Sequence, residues 1–271
     1  MNGLFLNSEL SIRLAAFFGI FLLVAVWEVV APRRALTVSK TARWTSNLGI
    51  TFFNGLLLTW VFPVLAVGMA VLAQSRGWGV LNDMDLPFWL TVTLSVVALD
   101  FVIYIQHAMF HTIPAFWRMH RMHHTDLNLD VSSGARFHPI EIIVSMGIKF
   151  TAIAALGPPP EAVLIFELFL NVMAMFNHGN IYIPLKIDRI LRWFVVTPDM
   201  HRVHHSIIRK ENNSNFGFNL SLWDYLLGTY RAQPEKGHDG MEIGINIFRD
   251  PKLLNFHWLL IQPFLNSDKY D

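Results

Sequence analysis

The chain reads as an all-α integral membrane protein: three full spans, a short helical hairpin and a histidine-rich helical cap on the cytoplasmic side. Three observations predict this. Its 271 residues are 53% hydrophobic and only 15% charged, with a mean hydropathy of +0.40, whereas about a quarter of the residues in an ordinary soluble domain carry charge. Apolar stretches long enough to enter a bilayer recur along the chain. Eight of the twelve histidines fall in three tight clusters, His107-x-x-x-His111, His120-x-x-His123-His124 and His201-x-x-His204-His205, beside or within apolar sequence.

In chain order, the first ten residues carry no basic segment before an apolar stretch and no small-residue cleavage site. The run over 10–31 is therefore expected to be a retained anchor, not a signal peptide. At about 1.5 Å per residue, 10–31, 48–72 and 88–110 each cover a hydrocarbon core of about 30 Å. Two shorter runs, 140–156 and 162–176, are separated by Gly157-Pro158-Pro159-Pro160, through which no helix continues, and so form the hairpin. From Lys186 onward the sequence mixes polar and apolar residues and predicts short helices that cap the histidines. Asp250-Pro251 and Asn266-Ser267-Asp268 read as turn and tail. The expected organisation is a set of anchor spans over 1–99, a histidine-box domain over 100–235 containing the hairpin 140–178, and a C-terminal cytoplasmic tail over 236–271.

Arg33, Arg34, Lys40 and Arg43 lie between the first two spans, whereas the next loop has only Arg76 beside Asp83 and Asp85. The first loop is therefore expected in the cytoplasm. Span three then ends on that side at His107 and His111, and both ends of the hairpin, after His138 and at His178, return to it. All three histidine clusters converge at one face, a result obtained from the basic bias and the span count without reference to the histidines.

Such clusters point to metal. Imidazole is the commonest protein metal ligand and needs no deprotonation at neutral pH. One H-x-x-H-H is expected only about 0.02 times in a chain of this composition, and two copies far less often. Residues three and four apart share a helix face, so each H-x-x-H-H is expected to offer three imidazoles to one point and H-x-x-x-H to offer two. Four ligands saturate a tetrahedral zinc, so eight or nine imidazoles imply two metals. The ninth is His178, in Asn177-His178-Gly179-Asn180, which the topology delivers to the clusters.

Asp100, Tyr104, His107 and His111 lie on one stripe of span three. Asp100 reads either as an acceptor that orients a ligating imidazole or as a hydrogen-bond partner for another helix. Tyr104 is a second candidate for support of the ligands, and His138, before Pro139, either supports a ligand or starts a helix. Thr197-Pro198-Asp199 reads as an N-cap, a proline at the first helical position and an acid in the first turn, aiming the helix that carries His201, His204 and His205. His238 and His257 read as surface or packing residues, Trp44, Trp60, Trp78 and Trp89 as an interfacial belt, and Met173 to Met175 as packing. Glu141, Glu167 and Asn171 are intramembrane polar positions without an assignable partner. With no cysteine in the chain, disulfides, iron–sulfur clusters and thiolate-bound haem are excluded. A net charge of +1 without a basic patch argues against a nucleic-acid partner.

These motifs resemble the fatty acid hydroxylase/sterol desaturase superfamily of membrane di-iron oxygenases, over about residues 100–231. The resemblance rests on the order of the three histidine boxes, Phe137-His138-Pro139, His178-Gly179-Asn180 (one residue shorter than the usual His-x-Gly-Asn type), the run from Thr197 to His205, Asn215-Phe216-Gly217, Leu222-Trp223-Asp224 and Gly228-Thr229. It implies two iron ions on the clustered histidines, O2 as co-substrate, and hydroxylation or desaturation of a fatty acyl or sterol lipid drawn from the bilayer. No His-Pro-Gly-Gly haem element follows His138-Pro139, so the electrons are expected from a separate donor of cytochrome b5, ferredoxin or reductase type. Two other functions fit the sequence less well. A metal transporter or sensor would spread polar residues across the bilayer and not stack them at one face, and a zinc hydrolase would show H-E-x-x-H. The absence of a C-terminal retention signal is expected of a bacterial cytoplasmic membrane protein.

Overall fold

The computed structural model describes residues 2–266, with side chains described from Ser8 onward. Ser267 and Asp268 of the expected tail lie outside the described residues. Thirteen α-helices follow in order: α1 Asn2–Val30, α2 Lys40–Val61, α3 Ala66–Arg76, α4 Phe88–Thr112, α5 Pro114–His124, α6 Pro139–Leu156, α7 Pro160–His178, α8 Leu185–Leu191, α9 Pro198–His204, α10 Arg209–Asn212, α11 Leu222–Leu226, α12 Gly237–Gly240 and α13 Phe256–Ile261. Among the described residues, β-structure is limited to isolated bridges.

The first and third spans match α1 and α4. The second apolar run is two helices, because Pro63 cannot continue α2 and the chain leaves the helix at Phe62, bends at Pro63 and Val64 and re-enters helix after Leu65. α2 also begins eight residues earlier than hydropathy alone suggests. Arg43, Ser46 and Asn47 in its first turns are buried, and Arg43 is neutralised there by Asp126 (2.7 Å) and Asp130 (2.5 Å). Burial alone would raise the Asp126 pKa, but the nearby Arg43 and Arg136 hold it at about 2. The basic residues of the first loop are thus largely structural: Arg33 pairs with Asp199 at 3.2 Å and Arg43 is almost wholly enclosed.

The hairpin is deeper than its hydropathy implies. α6 and α7 have 18 and 19 residues, a length of about 27 Å each. Their turn packs backbone against backbone on the α3–α4 connection, at the end of the bundle away from the histidines. A Cβ on Gly79 would sit 2.5 Å from the Gly157 Cα, and Gly157 itself has φ 68°, so both positions require glycine. Five segments are long and apolar enough to cross a membrane, Ser8–Val30, Lys40–Arg76, Phe88–Thr112, Pro139–Leu156 and Pro160–His178, where three spans and a short hairpin were expected.

α7 is the central helix, packed against α1, α3, α4 and α9. Ala66, Ala70 and Ala73 let α3 approach closely, and with Leu99, Ile153 and Phe166 they form a core without polar atoms. Large apolar side chains such as Phe18, Leu22, Phe52 and Trp60 face outward, a surface suited to lipid and not to water. Trp60, Trp78 and Trp89 are exposed near the end remote from the histidines. Trp44 does not belong with them: it packs edge-on against Phe21 and its indole donates to Asp130 at 3.2 Å. After α7, the short helices and loops fold over the histidine-bearing end as a cap.

Candidate metal centre

The nine clustered histidines meet as two adjoining groups. His107, His111, His120, His124 and His204 form one; His123, His178, His201 and His205 form the other. Within each, one ring nitrogen per residue lies within 4.8 Å of all the rest. Each H-x-x-H-H divides between the groups, where three imidazoles converging on one point were expected. Helix geometry explains the division. Residues i and i+4 differ by about 40° in azimuth, whereas i+3 falls about 60° to the other side. The i,i+4 pair His120 and His124 of α5 therefore joins the first group and His123 the second. At α9 the pair His201 and His205 joins the second group and His204 the first. The groups share a border, with the rings of His124 and His205 stacked at 4.4 Å.

Hydrogen bonds fix how these rings point. His107 Nδ1 donates to the Phe216 carbonyl (2.8 Å), His123 Nδ1 to that of Arg136 (2.9 Å), His178 Nδ1 to that of Ala174 (2.7 Å) and His204 Nδ1 to that of Ser214 (2.8 Å). His120 Nδ1 donates to Glu141 Oε1 at 2.7 Å. Carbonyl and carboxylate oxygens only accept, so each of these five rings carries its proton on Nδ1 and turns a lone pair on Nε2 into the cluster. Two such nitrogens, those of His123 and His178, face each other at 3.0 Å. A bound cation resolves that opposition, and an all-nitrogen donor set buried in this way suits a transition metal. The residues therefore fit metal ions. His124 differs, since the Asn212 amide nitrogen lies 3.0 Å from its Nδ1. Both ring nitrogens of His111 are buried and take no hydrogen bond among the described residues.

Burial, reinforced by neighbouring imidazoles, holds His123, His124, His201 and His205 well below the usual histidine range, and burial pushes His204 down to about 3. These five rings are neutral at physiological pH, the state in which imidazole binds a metal.

Beside the first group lies a cavity of about 370 Å³ that reaches His107 and His120. Its walls are mainly apolar, with Phe17, Leu58, Ile103, Phe110 and Leu170 among them, and Arg13, Lys149 and Glu167 line it as well. Size and lining suit one elongated apolar ligand with a polar group.

The fatty acid hydroxylase family model matches residues 92–229, a segment that contains all nine histidines. The chain belongs to the fatty acid hydroxylase family. Its relatives include the ornithine lipid hydroxylase OlsE of Rhizobium tropici, 31% identical over 160 residues that cover 59% of this chain and 46% of that protein. The alkylglycerol monooxygenase of Homo sapiens is 29% identical over 182 residues, 65% of this chain and 38% of that one. A fatty acid hydroxylase, vlmA, from a Lecanicillium species is 27% identical over 180 residues, 59% of this chain and 49% of that one. The chain thus aligns with half or less of the length of these relatives. No solved structure matches it.

In this fatty acid hydroxylase family member, the supporting residues expected from sequence are placed differently from the histidines. Asp100 touches no imidazole; its Oδ2 accepts from the Trp223 indole (2.8 Å) and the Leu220 amide (3.3 Å), so it fastens the loop around α11. Tyr104 bonds Thr229 at 2.9 Å in that same region. His138 starts a helix: its Nδ1 accepts from the Ile140 amide at 3.2 Å and its Nε2 donates to the Leu260 carbonyl. Thr197 caps α9 through the Met200 amide (3.3 Å), and Asp199 pairs with Arg33 and Arg202. His238 is buried beside Asp199 and His257 is exposed.

Several supporting residues escape sequence reading. Glu141 orients His120. Asp224 accepts from the amides of Phe216 and Gly217 (2.8 Å each) and thereby sets the carbonyl that orients His107. Asn215 holds a left-handed φ of 53° while its side chain ties Met200 to Arg231. An asparagine accepts that conformation more readily than other residues with a side chain, which is the one signal the sequence offered.

Proposed function

We propose that this chain is a membrane lipid hydroxylase whose nine imidazoles hold two iron ions. The observation that carries the proposal is the set of five imidazoles whose Nδ1 protons are committed to oxygen acceptors, leaving their Nε2 lone pairs directed inward with the remaining rings beside them. The family and the hydroxylases and monooxygenases among its relatives support iron and oxygen insertion over desaturation. When bound, the irons supply the capacity to activate O2 and break an unactivated C–H bond, which no side chain here can do. The balance is R–H + O2 + two electrons + two protons → R–OH + H2O, with both electrons from a separate donor protein of cytochrome b5, ferredoxin or reductase type.

The chain's own residues do the rest. The carbonyls of Phe216, Arg136, Ala174 and Ser214 and the Glu141 carboxylate fix ring orientation, and the cap over α9 keeps water from the site. The apolar cavity admits a fatty acyl or sterol-type chain from the bilayer to His107 and His120. The basic first loop supports a cytoplasmic position for the histidines. A transporter or sensor reading is less well supported, because the imidazoles lie together at one end of the bundle.

The test is elemental analysis of detergent-purified protein from iron-supplemented cells beside a His204→Ala control, followed by lipid product analysis. About two irons per chain, reduced in the variant, with a hydroxylated lipid formed, is the expected result. One tightly held zinc or copper, with iron refused under anaerobic reconstitution, would overturn the proposal.

A further inference from the structure

The cavity ends, away from the histidines, in a cluster of charges that hydroxylation chemistry does not require. Glu167 on α7 receives Arg13 of α1 and Lys149 of α6, each at 2.6 Å, one on each carboxylate oxygen. Arg13 also donates through Nε to Glu9 at 2.8 Å. Two cations and two carboxylates make the cluster neutral overall. Ionisable groups this deep among apolar helices are costly, and they persist where they serve a function. Glu9 does not line the cavity, so the groups the cluster turns toward it are Arg13, Lys149 and Glu167. Both Glu167 oxygens are occupied, while Arg13 Nη1 makes no hydrogen bond among the described residues and Lys149 makes only the one to Glu167. The cluster therefore offers the cavity free N–H donors without net charge.

That combination selects its ligand. A free carboxylate would leave the cluster negative in a low-dielectric wall, and an unsubstituted hydrocarbon would leave the donors unmet. A neutral carbonyl oxygen takes the donors and adds no charge. Lys149 and Glu141 lie eight residues apart on α6, so the cluster stands roughly 12 Å from the carboxylate that orients His120, the length of about ten bonds of an extended chain. The wall between combines Ile103, Ile142 and Met146 with Ser145 and Gln106, which are joined to each other by a hydrogen bond of 3.0 Å.

We propose that the cavity holds an acyl lipid by its ester or amide carbonyl at Arg13 and Lys149, with the acyl chain extended to His107 and His120. The substrate is then a carbonyl-linked lipid taken intact from the bilayer, not a free fatty acid, and the carbon presented to the histidines lies about ten bonds from the carbonyl. This rests on the lipid hydroxylase reading for its choice of substrate, but its test is a binding measurement that needs no turnover.

The experiment is equilibrium binding of radiolabelled methyl hexadecanoate, hexadecanoate and hexadecane to the full chain in nanodiscs at pH 7.5. The methyl ester is expected to bind roughly tenfold tighter than either of the others. In Lys149→Met/Glu167→Met, where the Arg13–Glu9 pair keeps the charges balanced and Arg13 is the anchoring donor that remains, the ester's advantage should fall to roughly threefold while the alkane binds as before. Lys149→Arg should keep the preference. Equal binding of the three probes to the unmodified protein, tightest binding of the carboxylate, or a preference undiminished by the double substitution would each overturn the inference. The comparison on the unmodified protein decides even where the double variant fails to fold. A protein that prefers the ester but contains no iron and forms no hydroxylated lipid would defeat the hydroxylase reading and leave this inference standing.

Discussion

The two imidazole groups are built from the same two boxes but differ in number and surroundings. The group of five draws on α4, α5 and α9 and borders the cavity through His107 and His120; the group of four draws on α5, α7 and α9 and contributes no cavity-lining residue. In the five, three rings are tied at Nδ1 to oxygen acceptors, two of them backbone carbonyls. In the four, His123 and His178 are tied to carbonyls, while His201 Nδ1 and His205 Nδ1 are buried without a hydrogen-bond partner among the described residues. Under the proposed assignment the five-membered group has a ligand beyond the four of a tetrahedral site and faces substrate. The four-membered group has none to spare and sits behind it.

Substitutions can break or sharpen that contrast. The largest effect is expected from His178→Ala, which leaves three imidazoles in the smaller group. About half of the bound iron and nearly all hydroxylase activity should be lost, as read by elemental analysis and product formation; retention of both would show that His178 is no required ligand, and loss of all the iron that the groups are not independent sites. Glu141→Gln keeps the shape beside His120 but removes the charge on its acceptor, and should weaken iron retention by roughly 10–100-fold in a chelator competition, a loss assigned to the larger group. His111→Ala leaves four imidazoles there, and its iron retention should fall less than tenfold. A loss equal to that of His178→Ala would erase the distinction between the groups. The smallest effect is expected from Thr197→Ala, which removes the α9 cap that both groups share. It should lower stability by about 1 kcal/mol in a thermal or denaturant melt and leave the ratio of metal between the groups unchanged.

Local spacing made eight of the nine histidines legible, because box periodicity is a property of a few consecutive residues, and the ninth, His178, followed from the span topology; the ends of α4, α6 and α7 followed from hydropathy and proline. The partition between the groups was not legible, since it needs α5 and α9 to face each other, a tertiary fact. Asp100 shows the same limit. Its helical azimuth placed it on the stripe of His107 and His111, but its partner was decided by where Trp223 arrived from 123 residues later. Glu167 could be recognised as an expensive intramembrane acid, yet its cations come from α1 and α6. Pro63 was visible, but a continuous apolar run concealed that it ended a helix. The carbonyls of Phe216 and Ser214 leave no side-chain signature at all.

The interleaving of the boxes also bears on how the protein is made. The larger group needs residues from His107 to His204, and the smaller from His123 to His205, so neither can be completed while the chain is still emerging upstream of α9. The two complete within one residue of each other. Under the proposed assignment, metal capture is timed to the end of synthesis of this region, and a nascent chain offers only partial, weak sites before that point. Once both are filled, each ion would fasten α5 to α9, helices about eighty residues apart in sequence, so a chain that stalls or misinserts its hairpin would remain without metal and be distinguishable to proteolysis from one that has matured.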